Sequence, residues 1–299
     1  MQVAVIGLGA MGMGAALSCL RAGLSVTGCD FSEAARNSFA EAGGQVAARA
    51  EAIAPGTEAV LLLVVNAAQT EAALFGPAGC APRLAPGAVI VASATMGPDD
   101  ARRLAMQAEA AGFLYLDAPV SGGAAKAATG EMTVMASGSA GAFAKARPVL
   151  EAVATKVWEL GEAPGIGATV KVVHQLLAGV HIAVAAEAMA LGIRAGADPQ
   201  KLYDVVTSAA GNSWMFENRM ARVLTGDEAP RSAVDIFVKD LGLVAEMARG
   251  LNHPVPLASQ AQQLFTAASA MGQGRVDDGF VIRVWQALTG IQLPGDKPG

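Results

Sequence analysis

The sequence predicts an α/β fold, with a doubly wound parallel sheet in the first half of the chain and an all-helical second half. Short apolar runs alternate with alanine-rich helical stretches up to about residue 160, and a glycine-rich loop follows the first run. Beyond residue 163 the patterns are mainly helical. The predicted domains are residues 1–162 and 163–294, followed by a tail at 295–299.

The predicted strands are short apolar runs of β-branched or bulky side chains. They are Val3–Ile6, Val26–Cys29, Ala59–Val65, Ala88–Ala92, Phe113–Asp117, Thr133–Ala136 and Val157–Leu160. Between them, helices are predicted at Ala15–Ala22, Glu33–Ala42 and Pro98–Ala111. Such alternation is typical of parallel strands that are covered by helices on both faces.

The second half begins with a turn and a long apolar segment. AlaProGlyIleGly (163–167) predicts a turn, and Lys171 then begins a nearly charge-free stretch to Ala186. This stretch is apolar all round and too long for a strand, so we expect a buried helix. Further breaks are predicted at 226–230 and 252–256, where glycine and proline cluster.

The composition of the chain restricts the classes of protein to which it can belong. The chain has 299 residues, 53% of them hydrophobic and 16% charged, with a net charge of −5 and no basic run, which disfavours a nucleic-acid partner. The mean hydropathy is +0.41, yet glycines or glutamines interrupt the charge-poor stretches 1–20 and 254–274. We therefore expect a soluble, cytoplasmic protein with no membrane partner. Three scattered cysteines match no metal spacing and predict buried structural thiols and no metal site.

The glycine-rich loop predicts a dinucleotide site. Gly7-Leu8-Gly9-Ala10-Met11-Gly12 fits the G-x-G-x-x-G pattern between a predicted strand and a predicted helix, the context of a Rossmann fold. The first glycine permits the turn, the second admits a pyrophosphate, and the third lets the helix approach the strand. A glycine-rich turn of another α/β protein is the alternative.

Asp30 supplies a second indication of the cofactor. It ends the strand Val26–Cys29, at the distance from the loop where a carboxylate accepts hydrogen bonds from the adenosine ribose hydroxyls. It would also repel a 2′-phosphate. Phe31 and Ser32 follow, with no immediate arginine to bind such a phosphate. The sequence therefore predicts NAD as the cofactor, with Asp30 and Phe31 beside it.

With these residues placed, the chain resembles the β-hydroxyacid dehydrogenases, the family of 3-hydroxyisobutyrate dehydrogenase and tartronate semialdehyde reductase. The stretches that carry the resemblance lie in order along nearly the whole chain: GlyLeuGlyAlaMetGlyMetGly (7–14), AspAlaProValSerGlyGly (117–123), GlyIleGlyAlaThrValLys (165–171) and PheValLysAspLeu (237–241). The resemblance implies a Rossmann domain followed by a helical domain, and oxidation or reduction of a small acid.

The resemblance also implies site residues. Lys171 would be the catalytic lysine, and Ser121, Gly122 and Gly123 would bind the substrate carboxylate. Lys239 would reach the cofactor or substrate, with Asp240 orienting it. Val65, Asn66 and Thr95 would line the cofactor cleft.

The residues alone leave other interpretations open for these positions. Ser121–Gly123 could form a backbone nest for an anion, or a simple tight turn. Lys171 could be a surface lysine, although burial would suit it to shuttle a proton near neutral pH. Lys239 and Asp240 could be a solvated charged pair.

One departure from the family pattern concerns the lysine helix. The family usually places asparagine three residues after its lysine, whereas this chain has His174 followed by Gln175. Both lie on the face of Lys171 and can hydrogen-bond a substrate hydroxyl. The segment 174–181 resembles a sugar-acid branch of the family, such as the L-threonate dehydrogenases. A buried core histidine is the alternative for His174.

The function that follows is NAD-dependent oxidation of a small hydroxy acid, a sugar acid such as L-threonate or a 3-hydroxy acid, with Lys171 as general acid and base. Two alternatives stay open. One is a reductase of tartronate or succinic semialdehyde, and the other is a non-catalytic dinucleotide-binding reader. By resemblance we also expect a homodimer or homotetramer.

Overall fold

The computed structural model of the chain describes residues 1–294 and 296. Contacts divide these residues into two compact units, Met1–Lys171 and the residues from Val172 onward. The first holds every named strand of the described chain, and the second is helical. Apart from Asp296, the predicted tail at 295–299 lies outside the described residues.

The first unit is built on a nine-stranded sheet in the order β3-β2-β1-β4-β5-β6-β8-β7, with β9 paired to β8. The strands are β1 Gln2–Ile6, β2 Ser25–Cys29, β3 Gln45–Ala47, β4 Thr57–Leu62, β5 Leu84–Ala92, β6 Leu114–Asp117, β7 Val120–Ser121, β8 Met132–Gly138 and β9 Ala154–Glu159. The pairs from β3 to β6 are parallel, but β8 runs antiparallel to β6 and β7. The expected parallel sheet is therefore confirmed from β3 to β6, whereas β8 departs from it by running antiparallel to β6 and β7. Apolar patterning does not encode the direction of a strand.

Both faces of this sheet are covered, as predicted. Val3 and Val5 belong to one apolar cluster, whereas Ala4 and Ile6 on the alternate face belong to another. The flanking helices are α1 Ala10–Arg21, α2 Glu33–Glu41, α3 Ala67–Phe75, α4 Pro98–Ala110, α5 Gly123–Thr129 and α6 Ala140–Val153. Helix α3 was not predicted, and the strand before it was predicted to end at Val65, whereas β4 ends at Leu62 and Asn66 caps the helix.

The second unit packs helices around its own core. They are α7 Ile166–Arg194, which begins in the first unit, α8 Pro199–Thr207, α9 Trp214–Thr225, α10 Val234–Gly250, α11 Pro256–Ala268 and α12 Arg283–Thr289. Helix α7 is 29 residues long, so the predicted stretch from Lys171 to Ala186 was too short at both ends. Lys171 consequently lies inside this helix and not at its start.

Helix α7 is long and apolar enough to cross a membrane by length and composition alone, with a mean hydropathy of 1.9 in its most apolar window. Of the residues in that window, 44% are buried, and Val172, Ile182 and Met189 are fully covered parts of the helical core. The core helix of a folded domain has these same properties.

Candidate active site

The residues predicted to bind the cofactor, apart from Lys239 on α10, follow strand ends at one edge of the sheet. Strands β2, β1, β4 and β5 are neighbours and parallel, so their carboxyl ends meet at this edge. The chain leaves β1 toward β2 and β3 and then returns to β4 on the other side. Such a reversal of strand order is where open α/β sheets bind ligands. The residues that follow these strand ends are the glycine loop, Asp30, Val65 with Asn66, and Thr95.

The three glycines of the loop differ in whether the surrounding protein leaves room for a side chain. A Cβ on Gly7 would lie 2.6 Å from the Leu63 carbonyl oxygen, and one on Gly12 would lie 1.7 Å from the Gly7 carbonyl oxygen. Gly9 has an ordinary φ of −70°, and a Cβ there would meet no atom within 4 Å. Packing within the protein thus requires glycine at 7 and 12 but not at 9. The space at Gly9, the N-cap of α1, is open, and the binding of a pyrophosphate there stays a prediction.

Asp30 is held firmly beside this loop. One carboxylate oxygen accepts the Leu8 N–H at 2.7 Å, and the other accepts the Ser32 N–H at 2.8 Å. A carboxylate has about four acceptor positions, so capacity remains for the ribose hydroxyls of a dinucleotide. The contact of Asp30 with a ribose stays a prediction.

An arginine that the sequence reasoning passed over lies close to Asp30. Arg36 Nη1 donates to the backbone oxygens of Asp30 at 2.8 Å and Phe31 at 2.9 Å. The Phe31 side chain is 87% exposed. Arg36 lies in the first turn of α2, six residues after Asp30 and beyond Phe31 and Ser32, and this position was the signal in the sequence that could have found it.

The residues after β4 have a clear local role. The Asn66 side chain accepts the Gln69 N–H at 2.9 Å and so caps α3, while the Val65 N–H donates to Gln69 Oε1 at 2.9 Å. Val65 is 45% exposed. Their contact with a cofactor, and that of Thr95, stays a prediction.

The predicted carboxylate-binding loop has an unusual backbone. Ser121 pairs with Thr133 at the end of β7, and Gly122 and Gly123 follow with φ of +130° and +71°. Both values lie in the left-handed region that favours glycine. A Cβ on Gly122 would also lie 2.9 Å from the Cβ of Lys126. The loop is thus a turn whose backbone favours glycine at both positions, and the anion-binding role of its N–H groups stays a prediction.

Lys171 is 6% exposed, which excludes the surface-lysine alternative. The start of its helix is fixed by Asp117 at the end of β6, whose Oδ2 accepts the N–H groups of Gly165 and Ala168, both at 2.9 Å. Ser137 Oγ on β8 accepts the Gly167 N–H at 3.0 Å. Two side chains from the sheet thus satisfy N–H groups that a helix start leaves unpaired, one turn before Lys171.

Asp117 itself is 2% exposed. Burial raises the pKa of this carboxyl to about 6, although the hydrogen bonds from Ala168, Gly165 and Ser137 oppose the rise. The sequence assigned Asp117 no role. Its position as a charged residue ending an apolar strand was the signal that could have found it.

The remaining predicted residues form a chain of contacts in the helical unit. His174 Nδ1 lies 2.9 Å from Gln175 Oε1, and Gln175 Nε2 donates to Asp240 Oδ2. Lys239 Nζ lies 2.5 Å from Asp240 Oδ1. Asp240 is 1% exposed, so the alternative of a solvated charged pair is wrong.

Metal and thiol chemistry find no support in the described part of the chain. No group of three or more His, Cys, Asp or Glu side chains there could hold a metal ion. Cys19, Cys29 and Cys80 are unpaired and buried, as predicted. Burial raises the pKa of each thiol, which keeps these groups unreactive near neutral pH.

Comparison with known proteins assigns both parts of the chain. Residues 2–161 match a family model described as "NAD binding domain of 6-phosphogluconate dehydrogenase". Residues 165–285 match a second model, described as "NAD-binding of NADP-dependent 3-hydroxyisobutyrate dehydrogenase". An L-threonate dehydrogenase of Escherichia coli is 56% identical over 99% of this chain and 97% of its own length. A 2-(hydroxymethyl)glutarate dehydrogenase of Eubacterium barkeri is 34% identical over 99% of this chain and 98% of its length.

A solved structure shows the same fold. The crystal structure of 3-hydroxyisobutyrate dehydrogenase from Salmonella typhimurium superposes with a TM-score of 0.91 at 55% identity, covering 95% of this chain and 99% of the other. The predicted Rossmann sheet followed by a helical part is thereby confirmed, and so is NAD as the class of cofactor. The chain belongs to the 3-hydroxyisobutyrate dehydrogenase-like family of NAD-dependent hydroxyacid dehydrogenases.

Proposed function

We propose that the protein oxidises a small sugar acid with NAD, and that L-threonate is its substrate. The observation that carries the proposal is the buried Lys171, followed on one helix face by His174 and Gln175, in a chain 56% identical to an L-threonate dehydrogenase. The polar pair suits a substrate with several hydroxyls, because both side chains can exchange hydrogen bonds with them.

In the proposed mechanism, Lys171 Nζ accepts the proton of the reacting alcohol during oxidation and returns it to the carbonyl oxygen in the reverse direction. NAD, when bound, accepts the hydride. The Ser121 hydroxyl and the N–H groups of Gly122 and Gly123 bind the carboxylate, while His174 and Gln175 orient the substrate hydroxyls. Lys239 is proposed to reach the cofactor from the helical part, residues 163–294.

The glycine loop and Asp30 are proposed to hold the dinucleotide and to favour NAD over NADP. N–H groups at the start of α1, together with the open face at Gly9, bind the pyrophosphate. Leu8, Ala10, Met11, Phe31, Val65, Asn66 and Thr95 line the remainder. The fixed negative charge of Asp30 repels a 2′-phosphate, and Arg36 is already hydrogen-bonded to two carbonyl oxygens.

We further propose a cytoplasmic homo-oligomer, a homodimer or homotetramer, with no nucleic-acid or membrane partner. Exposed apolar side chains repeat along α7 at intervals of three, four or seven residues; they are Val170, Val173, Leu177, Val184 and Leu191, which are 37–69% exposed. A helix stripe of this spacing is the pattern that packs against another helix. Sedimentation of a monomer at micromolar concentration would contradict this assignment.

A second candidate substrate class has its own support. The similar solved structure is described as a 3-hydroxyisobutyrate dehydrogenase at 55% identity, close to the identity of the L-threonate dehydrogenases. A reductase of a small semialdehyde, such as tartronate or succinic semialdehyde, would use the same residues. The non-catalytic reader is not pursued, because the relatives named above are dehydrogenases.

The test is steady-state NADH formation over a panel of hydroxy acids, including L-threonate and 3-hydroxyisobutyrate, each with NAD and with NADP. We expect the highest kcat/KM for L-threonate with NAD. A higher kcat/KM for reduction of a semialdehyde would favour the second candidate. Silence across all of these compounds would contradict both.

A further inference from the structure

The turn at residues 30–32 joins β2 to α2 at the edge of the sheet where the cofactor is predicted to bind. The Asp30 carboxylate accepts the N–H groups of Leu8 at 2.7 Å and of Ser32 at 2.8 Å. The Ser32 hydroxyl accepts the Ala35 N–H at 3.3 Å and so caps α2. The Asp30 carboxylate is therefore held in place by hydrogen bonds that do not involve Arg36.

Arg36 donates to the carbonyl oxygens of the same turn. Its Nη1 lies 2.8 Å from the Asp30 oxygen and 2.9 Å from the Phe31 oxygen. These two carbonyl groups belong to the peptide planes on either side of Phe31, and each plane is rigid. Because one guanidinium nitrogen holds both planes, it restricts the φ and ψ angles of Phe31 and with them the direction of its Cα–Cβ bond.

The Phe31 side chain is exposed although its backbone is held. At 87% exposure it is the most exposed large apolar side chain in the described part of the chain. The contacts of its backbone therefore do not serve to pack the ring into a core. An aromatic ring presented in this way can stack on a nucleobase, and such a contact changes affinity about tenfold or more. The preceding residue, Asp30, is where the adenosine ribose is predicted to bind.

We propose that Arg36 is a positioning residue of the cofactor site, which holds the turn 30–32 so that the Phe31 ring stacks on the adenine of the bound dinucleotide. The inference rests on the proposed placement of NAD beside Asp30, and it does not depend on which acid is oxidised. Adenine and nicotinamide are at opposite ends of the dinucleotide, so this contact contributes to binding and not to hydride transfer. Its loss raises KM for NAD and leaves kcat at saturating NAD nearly unchanged.

The first test observes the stacking and needs no turnover. Phe31→Trp places an indole at this position, and its fluorescence falls when a base stacks on it. ADP-ribose is the ligand, because it carries the adenine without the nicotinamide. The three native tryptophans give a background, which the same titration of the wild type measures. We expect ADP-ribose, but not nicotinamide mononucleotide, to quench Phe31→Trp beyond this background; equal quenching of the two proteins by ADP-ribose would overturn the proposal.

The second test determines whether Arg36 acts through Phe31. We expect the Kd of ADP-ribose, measured by calorimetry, to rise about tenfold in Phe31→Ala and at least about threefold in Arg36→Gln. Phe31→Tyr keeps the ring and should bind nearly as tightly as the wild type. Arg36→Lys keeps a donor and should lose less than Arg36→Gln.

The double variant Phe31→Ala with Arg36→Gln gives the most specific result. Its Kd should equal that of Phe31→Ala alone, because the ring that Arg36 positions is then absent. Additive losses would overturn the positioning role. Circular dichroism and thermal melting establish that each variant is folded. Arg36→Met, which keeps the aliphatic stem but has no donor, replaces Arg36→Gln if that variant does not fold.

The matched control is Arg83→Gln in the same unit. Arg83 also donates to a backbone oxygen, that of Glu51 at 2.8 Å, and its removal should leave the Kd of ADP-ribose unchanged. A larger loss of affinity for 2′-phospho-ADP-ribose than for ADP-ribose in Arg36→Gln would show that Arg36 binds a 2′-phosphate, and would overturn the proposal. So would a Phe31→Ala variant with altered sedimentation and an unchanged Kd, since its ring would then contact another subunit.

The outcomes also separate this inference from the proposed function. If Gly9→Ala weakens NADH binding while Phe31→Ala and Arg36→Gln do not, this inference fails and the proposed cofactor site stands. If none of the three variants weakens NADH binding, both fail. If the wild type oxidises no hydroxy acid, the proposed substrate fails, whereas the titrations with ADP-ribose still decide the role of Arg36.

Discussion

Asp117 and Asp240 are both almost fully buried, one in each unit, and each supports the segment 166–175 of helix α7 by a different means. Asp117 accepts two backbone N–H groups and so fixes the start of the helix before Lys171. Asp240 has an ammonium partner, Lys239, and accepts from the side chain of Gln175. The first aspartate therefore fixes the position of a main chain, whereas the second fixes the orientation of side chains.

The two aspartates therefore differ in how the protein compensates their negative charge. Neutral donors only partly offset the loss of water around Asp117, whose pKa is raised to about 6. An ammonium compensates the charge of Asp240 directly. The same residue type thus gives a carboxyl group with a raised pKa that holds a helix start in the first unit. In the second unit it gives an ion-paired carboxylate that orients a side chain. Lys171, the proposed general acid and base, lies between Ala168, whose N–H Asp117 accepts, and Gln175, whose side chain donates to Asp240.

The largest effect is expected at Lys171, which lies along α7 between the residues that contact Asp117 and Asp240. Lys171→Ala should lower kcat about a thousandfold, in the range that general acid–base groups contribute, while the Kd for NADH stays nearly unchanged. Steady-state kinetics and fluorescence titration measure the two quantities. Lys201→Ala, an exposed lysine on α8, is the matched control and should retain wild-type kcat. A Lys171→Ala enzyme with most of its kcat would contradict the assignment.

The glycine loop offers a second comparison, between Gly12 and Gly9. Gly12→Ala should lower the free energy of unfolding by about 3 kcal/mol and abolish NADH binding, because its Cβ would collide with the Gly7 carbonyl oxygen. Gly9→Ala should change stability by no more than about 1 kcal/mol and still weaken NADH binding. Chemical denaturation measures the stability of each variant, and NADH titration measures its cofactor binding. Equal stability of the two variants would show that the packing at Gly12 is not as described.

Asp117 predicts a pH dependence of stability. Its pKa in the folded chain is about 6 against an ordinary value of 3.8, so the folded state binds more protons across this interval. The free energy of unfolding should therefore fall as pH rises from about 4 to about 6, by up to about 3 kcal/mol from this group. In Asp117→Asn this contribution should be absent. Denaturation at several pH values, with Asp235→Asn as the control, measures it; parallel curves for wild type and Asp117→Asn would refute it.

The smallest effect is expected in cofactor preference. Asp30→Asn keeps a side-chain oxygen for the Leu8 N–H but removes the negative charge that opposes a 2′-phosphate. The ratio of kcat/KM with NAD to that with NADP should fall about tenfold, equivalent to about 1.4 kcal/mol. Kinetics with both cofactors test this, and an unchanged ratio would mean that Asp30 does not determine the preference.

The fold class and the glycine loop were predictable from the sequence because their signals are local. A strand, a glycine pattern and an acidic residue follow one another within 30 residues. The residues around Lys171 could be named only by resemblance. Their supports come from distant parts of the chain: Asp117 is 51 residues from Ala168, and Asp240 is 65 residues from Gln175. The spacing of residues in the sequence does not indicate such contacts, and it does not indicate that β8 runs antiparallel to β6.

The most direct test of the central claim, that Lys171 carries the proton of the alcohol, is single-turnover NADH formation from L-threonate by Lys171→Ala with and without a small primary amine. The proposed mechanism predicts almost no NADH in the absence of amine, and a rate that rises with amine concentration. A rate without amine within tenfold of the wild type would contradict it.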